Sequence, residues 1–296
     1  MIVVTAPTAK IGRHVVEQLL DAGERVRVVA RDPRRLSPTV HDRVEIVEGS
    51  HREAAVVDKA FAGADAVFWL MPGDLRAPDV MTSYVESSRP GAEAVAAHGV
   101  RHVVGVSALG RGTAVADRAG NVTASLAMDD LFAAVTNYRS LANPSFMDNT
   151  LRDIRTILGD GVISGPLAPD RELPLVATRD IASTAARLLL DRDWTGFAEI
   201  PVLGPRDLSG NDMAAVITDV LGIPVRYVQV EAASLEAAML SFGASPGMAR
   251  AMADMATAKT RGLDEGVVRT AENSTPTTFR QWCEKVLRPA VDAARS

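Results

Sequence analysis

The sequence predicts an α/β chain: a doubly wound parallel sheet followed by a smaller C-terminal α/β lobe. Three observations carry that expectation. The chain opens on a short apolar run, Ile2-Val3-Val4-Thr5, a tight turn, an amphipathic stretch from Ile11 to Leu20, and a second strand from Arg25 to Ala30. Strand, turn, helix and strand in that order form the opening βαβ unit of a doubly wound sheet. Two later runs, Ala66-Val67-Phe68-Trp69-Leu70-Met71 and His102-Val103-Val104-Gly105-Val106-Ser107, lack the polar alternation of a half-exposed strand. Parallel strands covered on both faces read this way. Helical spacings separate the runs, and right-handed crossovers are the near-universal way to join them.

The other elements follow in order. Charge and Pro33 break the pattern over 31–36, 43–47 reads as a short strand, and 52–61 has helical spacing. Pro72-Gly73-Asp74 stops the fourth strand. A helix is expected over 79–98, with Gly99 as its C-cap signal. The stretch 111–121, rich in Gly, Ala and charge, predicts a mobile loop. A helix follows over 122–135, then a strand over 138–142 that ends at Asn143-Pro144. Beyond 151 the regularity loosens. Short strands are expected at 174–176 and 199–202, around a helix over 181–191. Ser209 or Asn211 caps a helix over 213–221, and 225–230 is a further strand. The span 235–258 is helical with a break at 243–247, and 279–287 is helical again.

Composition narrows the function classes. With 296 residues, 47% of them hydrophobic, the chain has ample material for a buried core. A net charge of -5 argues against general affinity for nucleic acid. A single cysteine rules out an intrachain disulfide and a cysteine-rich metal site. That residue, Cys283, is expected to be a packed thiol. The five histidines show no metal-ligand spacing. No basic leader precedes the first strand, and no apolar run approaches the ~18 to 20 residues of a membrane span. A cytoplasmic protein without membrane or nucleic-acid partners is the expectation.

The first turn, Ala6-Pro7-Thr8-Ala9-Lys10, stands where a dinucleotide-binding fold places glycines. The first such glycine permits the turn, the second lets the backbone approach a pyrophosphate, and the third allows close helix–strand packing. Gly12 can do the third job, but Ala6 and Ala9 replace the other two. A positive φ at Ala9 would cost ~1 to 2 kcal/mol. The helix N-terminus still offers its N–H groups and dipole. Lys10 is either a cation beside the phosphates or a solvated loop lysine. Arg31 directly follows the second strand, where an acid for the adenosine ribose is usual. An arginine there suits a 2′-phosphate, with Arg34 and Arg35 in reserve; the alternative is an exposed charged turn.

A family resemblance emerges from these motifs. Thr5-Ala6-Pro7-Thr8-Ala9-Lys10-Ile11-Gly12 resembles the T-G-A-T-G-x-I-G turn of the NmrA-like group of atypical short-chain dehydrogenases. Val28-Val29-Ala30-Arg31-Asp32-Pro33 resembles its second-strand ending. Gly99-Val100-Arg101-His102-Val103-Val104 with Val106-Ser107-Ala108-Leu109-Gly110 resembles its fifth strand. Asn143-Pro144-Ser145-Phe146-Met147-Asp148-Asn149 resembles its R-P-G-x-F-M-x-N segment. Val176-Ala177-Thr178-Arg179-Asp180-Ile181-Ala182, Val225-Arg226-Tyr227-Val228 and Thr275-Pro276-Thr277-Thr278-Phe279 complete an ordered set that spans nearly the whole chain.

The resemblance implies a Rossmann dinucleotide-binding domain over 1–150 and a smaller substrate-binding lobe over 151–296, closely packed on the first. It also implies binding of NADP(H). Carried over, Thr5, Thr8, Lys10, Ile11 and Gly12 would meet the pyrophosphate, with Ala6 and Ala9 in the same turn, and Arg31 the 2′-phosphate. Leu70, Met71 and Pro72 would lie beneath the cofactor. Ser107 would end the fifth strand, and Asn143, Pro144 and Phe146 would border the nicotinamide. Members of the group include quinone and azo-type reductases, isoflavone-reductase relatives and non-catalytic redox-sensing regulators.

The chain departs from the wider superfamily where catalysis is usual. The Tyr-x-x-x-Lys pair on the helix after the fifth strand is absent: Val122-Thr123-Ala124-Ser125-Leu126-Ala127-Met128-Asp129-Asp130 contains neither residue. Tyr138 begins the next strand and cannot supply that geometry. Asp129 and Asp130, adjacent on a helix, diverge by about a hundred degrees and are expected at the surface. Ser107 lacks a nucleophile elbow. Met239, Met248, Met252 and Met255 read as core, or as the wall of an apolar pocket. Three functions fit: an NADPH-dependent reductase of a flat unsaturated or quinone-like molecule, a small apolar or aromatic substrate; a non-catalytic NADP(H)-binding regulator; or a cofactor-independent cyclase, lyase or isomerase, with Asp74, Ser107 or Asn149 holding a polar substrate group.

Overall fold

The computed structural model describes residues 1–295. In chain order the first elements are β1 (Ile2–Thr5), α1 (Lys10–Asp21), β2 (Val26–Ala30), α2 (Pro38–His41), β3 (Glu45–Glu48), α3 (Ala54–Phe61), β4 (Ala66–Trp69) and α4 (Ser87–Ala97). They continue with β5 (His102–Ala108), α5 (Asn121–Ala133), β6 (Asn137–Asn143), β7 (Ser145–Phe146), α6 (Ile154–Asp160), β8 (Val162–Gly165), β9 (Leu173–Val176) and α7 (Thr178–Leu190). The last are β10 (Phe197–Pro201), β11 (Asp207–Leu208), α8 (Gly210–Leu221), β12 (Arg226–Gln229), α9 (Ala232–Ser241), α10 (Pro246–Thr260), α11 (Phe279–Trp282) and α12 (Arg288–Arg295).

The chain forms two compact units, each discontinuous in sequence. Unit 1 comprises Met1–Ala108, Asn121–Ala142 and Ile181–Ile200; unit 2 comprises Leu109–Gly120, Asn143–Asp180 and residues 201–295. Unit 1 is built on a seven-stranded sheet of order β10-β6-β5-β4-β1-β2-β3. The pairs β1–β2, β1–β4, β2–β3 and β4–β5 are parallel, with Ile2 opposite both Val26 and Ala66. The order 3-2-1-4-5-6 within that sheet is that of a Rossmann fold.

Burial explains why these runs are continuous rather than alternating. Val3, Val29, Val47, Val67, Trp69, Val103 and Tyr138 join Phe61, Val95, Met128 and Phe132 in one apolar cluster. Their strand neighbours Ile2, Val4, Val28, Phe68 and Val104 belong to no part of that cluster, yet are fully buried. Both faces of the sheet are therefore covered, and a strand covered twice has no polar side to show. At the centre of the first face, Trp69 donates its indole N–H to Ser88 Oγ at 3.2 Å and lies 4.9 Å from the Phe132 ring. Gly91 makes that placement possible, because a Cβ there would stand 2.3 Å from the indole ring.

Unit 2 holds two small sheets, β11-β9-β7 and β12-β8, and its own core around Met147, Ile157, Ile163, Ile217, Trp282, Cys283 and Leu287. Ser209 caps α8 in a reciprocal capping box with Asp212. Cys283 is fully buried and its thiol is pushed up to about 12 by desolvation, so it is the packed thiol expected.

Several expectations are refined. The helix expected over 79–98 carries a π-helical turn, Thr82–Glu86, before α4, and Pro90 lies within α4. The π turn and the proline's missing N–H both interrupt the regular ladder. The segment expected to be a mobile loop is packed: Ala116 and Ala119 are buried, and Gly120 lies against the Ala251 backbone. Small side chains and glycine, which signal looseness in a sequence, serve there to allow close approach. Of the methionines expected as core, Met248 is buried, whereas Met239, Met252 and Met255 are half-exposed.

Candidate functional site

The carboxyl ends of β1, β2, β4 and β5 carry the unit 1 residues singled out from the sequence, which is where an open α/β sheet binds its ligand. The turn after β1 is the most constrained part. Ala6 adopts φ +50, the only positive φ among the described non-glycine residues. Ala9 sits at φ −74 and ψ 156, extended backbone that any residue adopts. The conformational cost expected at Ala9 therefore falls on Ala6, where it is about 1 to 2 kcal/mol. Ala9 is the N-cap of α1, so its backbone has to be extended.

Gly12 is indispensable to this turn. A Cβ there would lie 2.2 Å from the Ala6 carbonyl oxygen, a backbone atom with no rotamer to retreat into. The N-terminus of α1 receives no side-chain cap from Ala9 and has no acidic residue in its first turn. The positive end of its dipole suits a ligand anion. Thr8 and Lys10 are exposed at the turn, and Ile11 is buried beneath it. Thr5 is already engaged: its hydroxyl accepts from Leu70 N–H at 2.9 Å and donates to the Phe68 carbonyl at 3.1 Å. Its part is to stitch the ends of β1 and β4.

Arg31 is exposed directly after β2 and makes no hydrogen bond or ion pair with the described residues. Arg34 differs, since Asp32 holds it through Nε at 2.8 Å and Nη2 at 3.2 Å. That pair lowers the Asp32 carboxyl and raises the guanidinium. Of the arginines in this turn, Arg34 is the one tied down. His51, in the loop after β3, sits edge-on to Trp69 at 5.3 Å and is 9% exposed. Its pKa is lowered to about 4, first by burial and then by Arg52 and Arg31. At the end of β4, Leu70 is half-buried, Met71 buried and Pro72 exposed, and the Pro72 carbonyl accepts from Arg52 at 2.6 Å.

The main correction concerns α5. Asp129, expected at the surface, is wholly buried. Its Oδ2 accepts from Ser107 Oγ at 2.6 Å and Ser140 Oγ at 2.7 Å, and its Oδ1 accepts from Tyr138 OH at 2.7 Å. A buried carboxylate without partners would be prohibitively costly; three hydroxyl donors answer that cost. Gly105 makes room for the cluster, since a Cβ at that position would stand 1.8 Å from the Tyr138 hydroxyl. Tyr138 is fully buried, which removes it as a proton donor to any bound molecule.

Unit 2 holds the remaining predicted residues. Asn143 ends β6 and its carbonyl accepts from Leu109 N–H at 2.9 Å, Pro144 is buried, and Phe146 is half-buried on β7, in register with Val176 of β9. Just beyond, Asp148 accepts from Thr178 Oγ1 at 3.0 Å and Trp282 Nε1 at 3.2 Å.

The residues of the first turn fit a dinucleotide. The turn retains the glycine contact that seats the helix, an uncapped helix N-terminus, and a cation without a partner at the end of β2. Known proteins agree. Residues 8–155 match the model of an NAD(P)H-binding family. The chain is 31% identical to a (4-alkanoyl-5-oxo-2,5-dihydrofuran-3-yl)methyl phosphate reductase of Streptomyces griseus, over 95% of this chain and 96% of that protein. Its fold is that of the NADPH-dependent quinone oxidoreductase of Escherichia coli solved with NADPH, with a TM-score of 0.78 at 20% identity over 100% of both chains. It is equally that of NmrA, a negative transcriptional regulator solved with NADP, with a TM-score of 0.74 at 14% identity over 99% of this chain and 97% of that one. This chain belongs to the NAD(P)H-binding family.

Proposed function

We propose that the protein is an NADPH-dependent reductase of a flat, conjugated small molecule such as a quinone or an unsaturated carbonyl compound. One observation carries the reading: α5 has neither a tyrosine nor a lysine, and the nearby Tyr138 spends its hydroxyl on Asp129 in the core. A simple ketone needs a proton donor at its oxygen as hydride arrives. A conjugated acceptor spreads the developing charge, so placement suffices and solvent can protonate the product.

NADPH, when bound, supplies the hydride, and a proton from water completes the two-electron reduction. The chain's own part is to bind and orient. The N–H groups at the start of α1 hold the pyrophosphate, Gly12 keeps the helix close enough for them to reach it, and Arg31 pairs with the 2′-phosphate. Leu70 and Met71 give the cofactor an apolar floor. The substrate class is supported by the relatives: one is named for a conjugated furanone, and a structural neighbour is a quinone oxidoreductase.

The test is anaerobic mixing of the protein with NADPH and a panel of quinones, conjugated enones and unconjugated ketones, followed by nicotinamide absorbance. Oxidation confined to the conjugated members is expected. Tight NADPH binding with no oxidation across the panel would overturn the enzymatic reading and leave a nucleotide-binding regulator.

A further inference from the structure

Away from the residues assigned to the dinucleotide, unit 2 has a cavity of about 390 Å³. Its floor is the edge of that unit's core. Met147, which opens the helical turn Met147–Asp153, Leu208 of β11 and Phe279 of α11 are all buried there, and Val216 of α8 is half-buried against them. The Phe279 ring stacks on Trp282 at 5.5 Å, and Thr278 caps the helix that carries both. Two exposed arginines stand among the lining residues. Arg280 is occupied, donating to Asp219 Oδ2 at 2.8 Å. The Arg206 guanidinium makes no hydrogen bond or ion pair with the described residues. Asp212, whose carboxyl is lowered in part by the charge of Arg206, already accepts from the Ser209 N–H at 2.9 Å and the Ser209 hydroxyl at 2.6 Å. An apolar floor is thereby joined to a cation that no acid claims.

We propose that this cavity binds a small amphipathic anion, a carboxylate on an aliphatic body of medium length. At the ~30 Å³ that a water occupies in the liquid, the volume admits about a dozen non-hydrogen atoms. That is the size of a medium-chain fatty acid and too small for a dinucleotide. Burial of the chain against Met147, Leu208, Val216 and Phe279 drives binding, and the unbranched methionine side chain adapts to the tail. Arg206 fixes the head group through a charge-assisted hydrogen bond. A neutral chain leaves the arginine unanswered, and a bare anion leaves the floor wet. The site shares no residue with the turn after β1 or with Arg31, so it does not rest on the proposed cofactor reading.

The test is calorimetric titration of the intact protein with octanoate, octan-1-ol and acetate. Methionine-methyl NMR runs in parallel, the Met147 signal being assigned with Met147→Leu. Octanoate is expected to bind saturably and to shift the Met147 methyl. It should bind about tenfold more tightly than octan-1-ol, roughly one charge-assisted hydrogen bond, and at least about a hundredfold more tightly than acetate. Arg206→Ala, a surface change, should bring octanoate down to the level of the alcohol and leave the alcohol unmoved. Val216→Phe fills the cavity with Arg206 in place and should weaken both by about tenfold or more. No saturable binding of octanoate, a Met147 methyl unmoved at saturation, or an octanoate affinity retained in Arg206→Ala would each overturn the inference. So would a dimer in sedimentation equilibrium that Val216→Phe dissociates, since a second copy would then be the occupant. Each of these outcomes leaves the NADPH reading intact, because nucleotide titration tests that separately.

Discussion

Substituting alanine for Gly12 puts the first turn to a quantitative test. The added methyl would stand 2.2 Å from the Ala6 carbonyl oxygen and 3.3 Å from Pro7 Cα. A relaxed carbon–oxygen contact of this kind lies at about 3.3 Å, so turn and helix must separate by about 1 Å. Neither partner has a rotamer to change. The shift passes along α1 to Ile11, Val15, Val16, Leu19 and Leu20, all buried. Overpacking of this sort costs about 1–3 kcal/mol, offset by up to about 1 kcal/mol of improved helix propensity. A net loss of about 1–2 kcal/mol is expected, read as a lower urea midpoint at constant slope. NADPH affinity should fall by more than about tenfold, because the N–H groups at the helix start retreat from the phosphates. The reverse change, Ala6→Gly, relieves the left-handed φ of +50. It should stabilise by about 0.5 kcal/mol after the glycine's extra unfolded-state freedom is subtracted. An unchanged midpoint together with an unchanged affinity in Gly12→Ala would refute the idea that this backbone contact sets the position of α1.

Three other outcomes are expected. Arg31→Ala should reduce the preference for NADPH over NADH by about tenfold to a hundredfold, the range of a charge-assisted contact, in parallel calorimetric titrations; Arg34→Ala should have less effect because Asp32 already holds that side chain. His51 has a folded pKa of about 4 against an ordinary 6.5, so the unfolded chain binds the extra proton first. Its contribution to stability is complete above about pH 6.5 and is lost as the pH falls toward 4, amounting to about 3 kcal/mol; urea midpoints of the wild type should drop through that window and those of His51→Phe should drop less. Tyr138→Phe removes one donor from a fully buried carboxylate and should cost about 1–3 kcal/mol by chemical denaturation, without altering the choice of substrates.

The candidate site was partly legible before any coordinates. The close approach at Gly12 and the exposed place of Arg31 after β2 follow from position in a strand–turn–helix unit, and position survives from sequence to structure. The turn's strain was assigned to the wrong alanine. Spacing gives the order of residues through a turn, whereas the φ of each depends on how the helix cap is satisfied, and Ala9 took the extended conformation of an N-cap. Asp129 was missed for a different reason. Acidic residues were assigned to the surface by type, but on α5 only Asp130 shares the outer side with Thr123, Ala127 and Leu131, whereas Asp129 lies on the buried side with Ser125, Met128 and Phe132.

By itself the sequence determined the doubly wound sheet and the strand–turn–helix unit that opens it. Apolar runs of strand length and helical spacings between them are local signals, and few topologies satisfy them. Tertiary structure alone decided the chemistry at the end of β5. The partners of Asp129 lie 22, 11 and 9 residues away along the chain, on strands that meet it only after the sheet forms. Hydrogen bonds of that range leave no periodic trace. A buried carboxylate and an exposed one are spelled with the same letter, and only the groups that gather around it tell them apart.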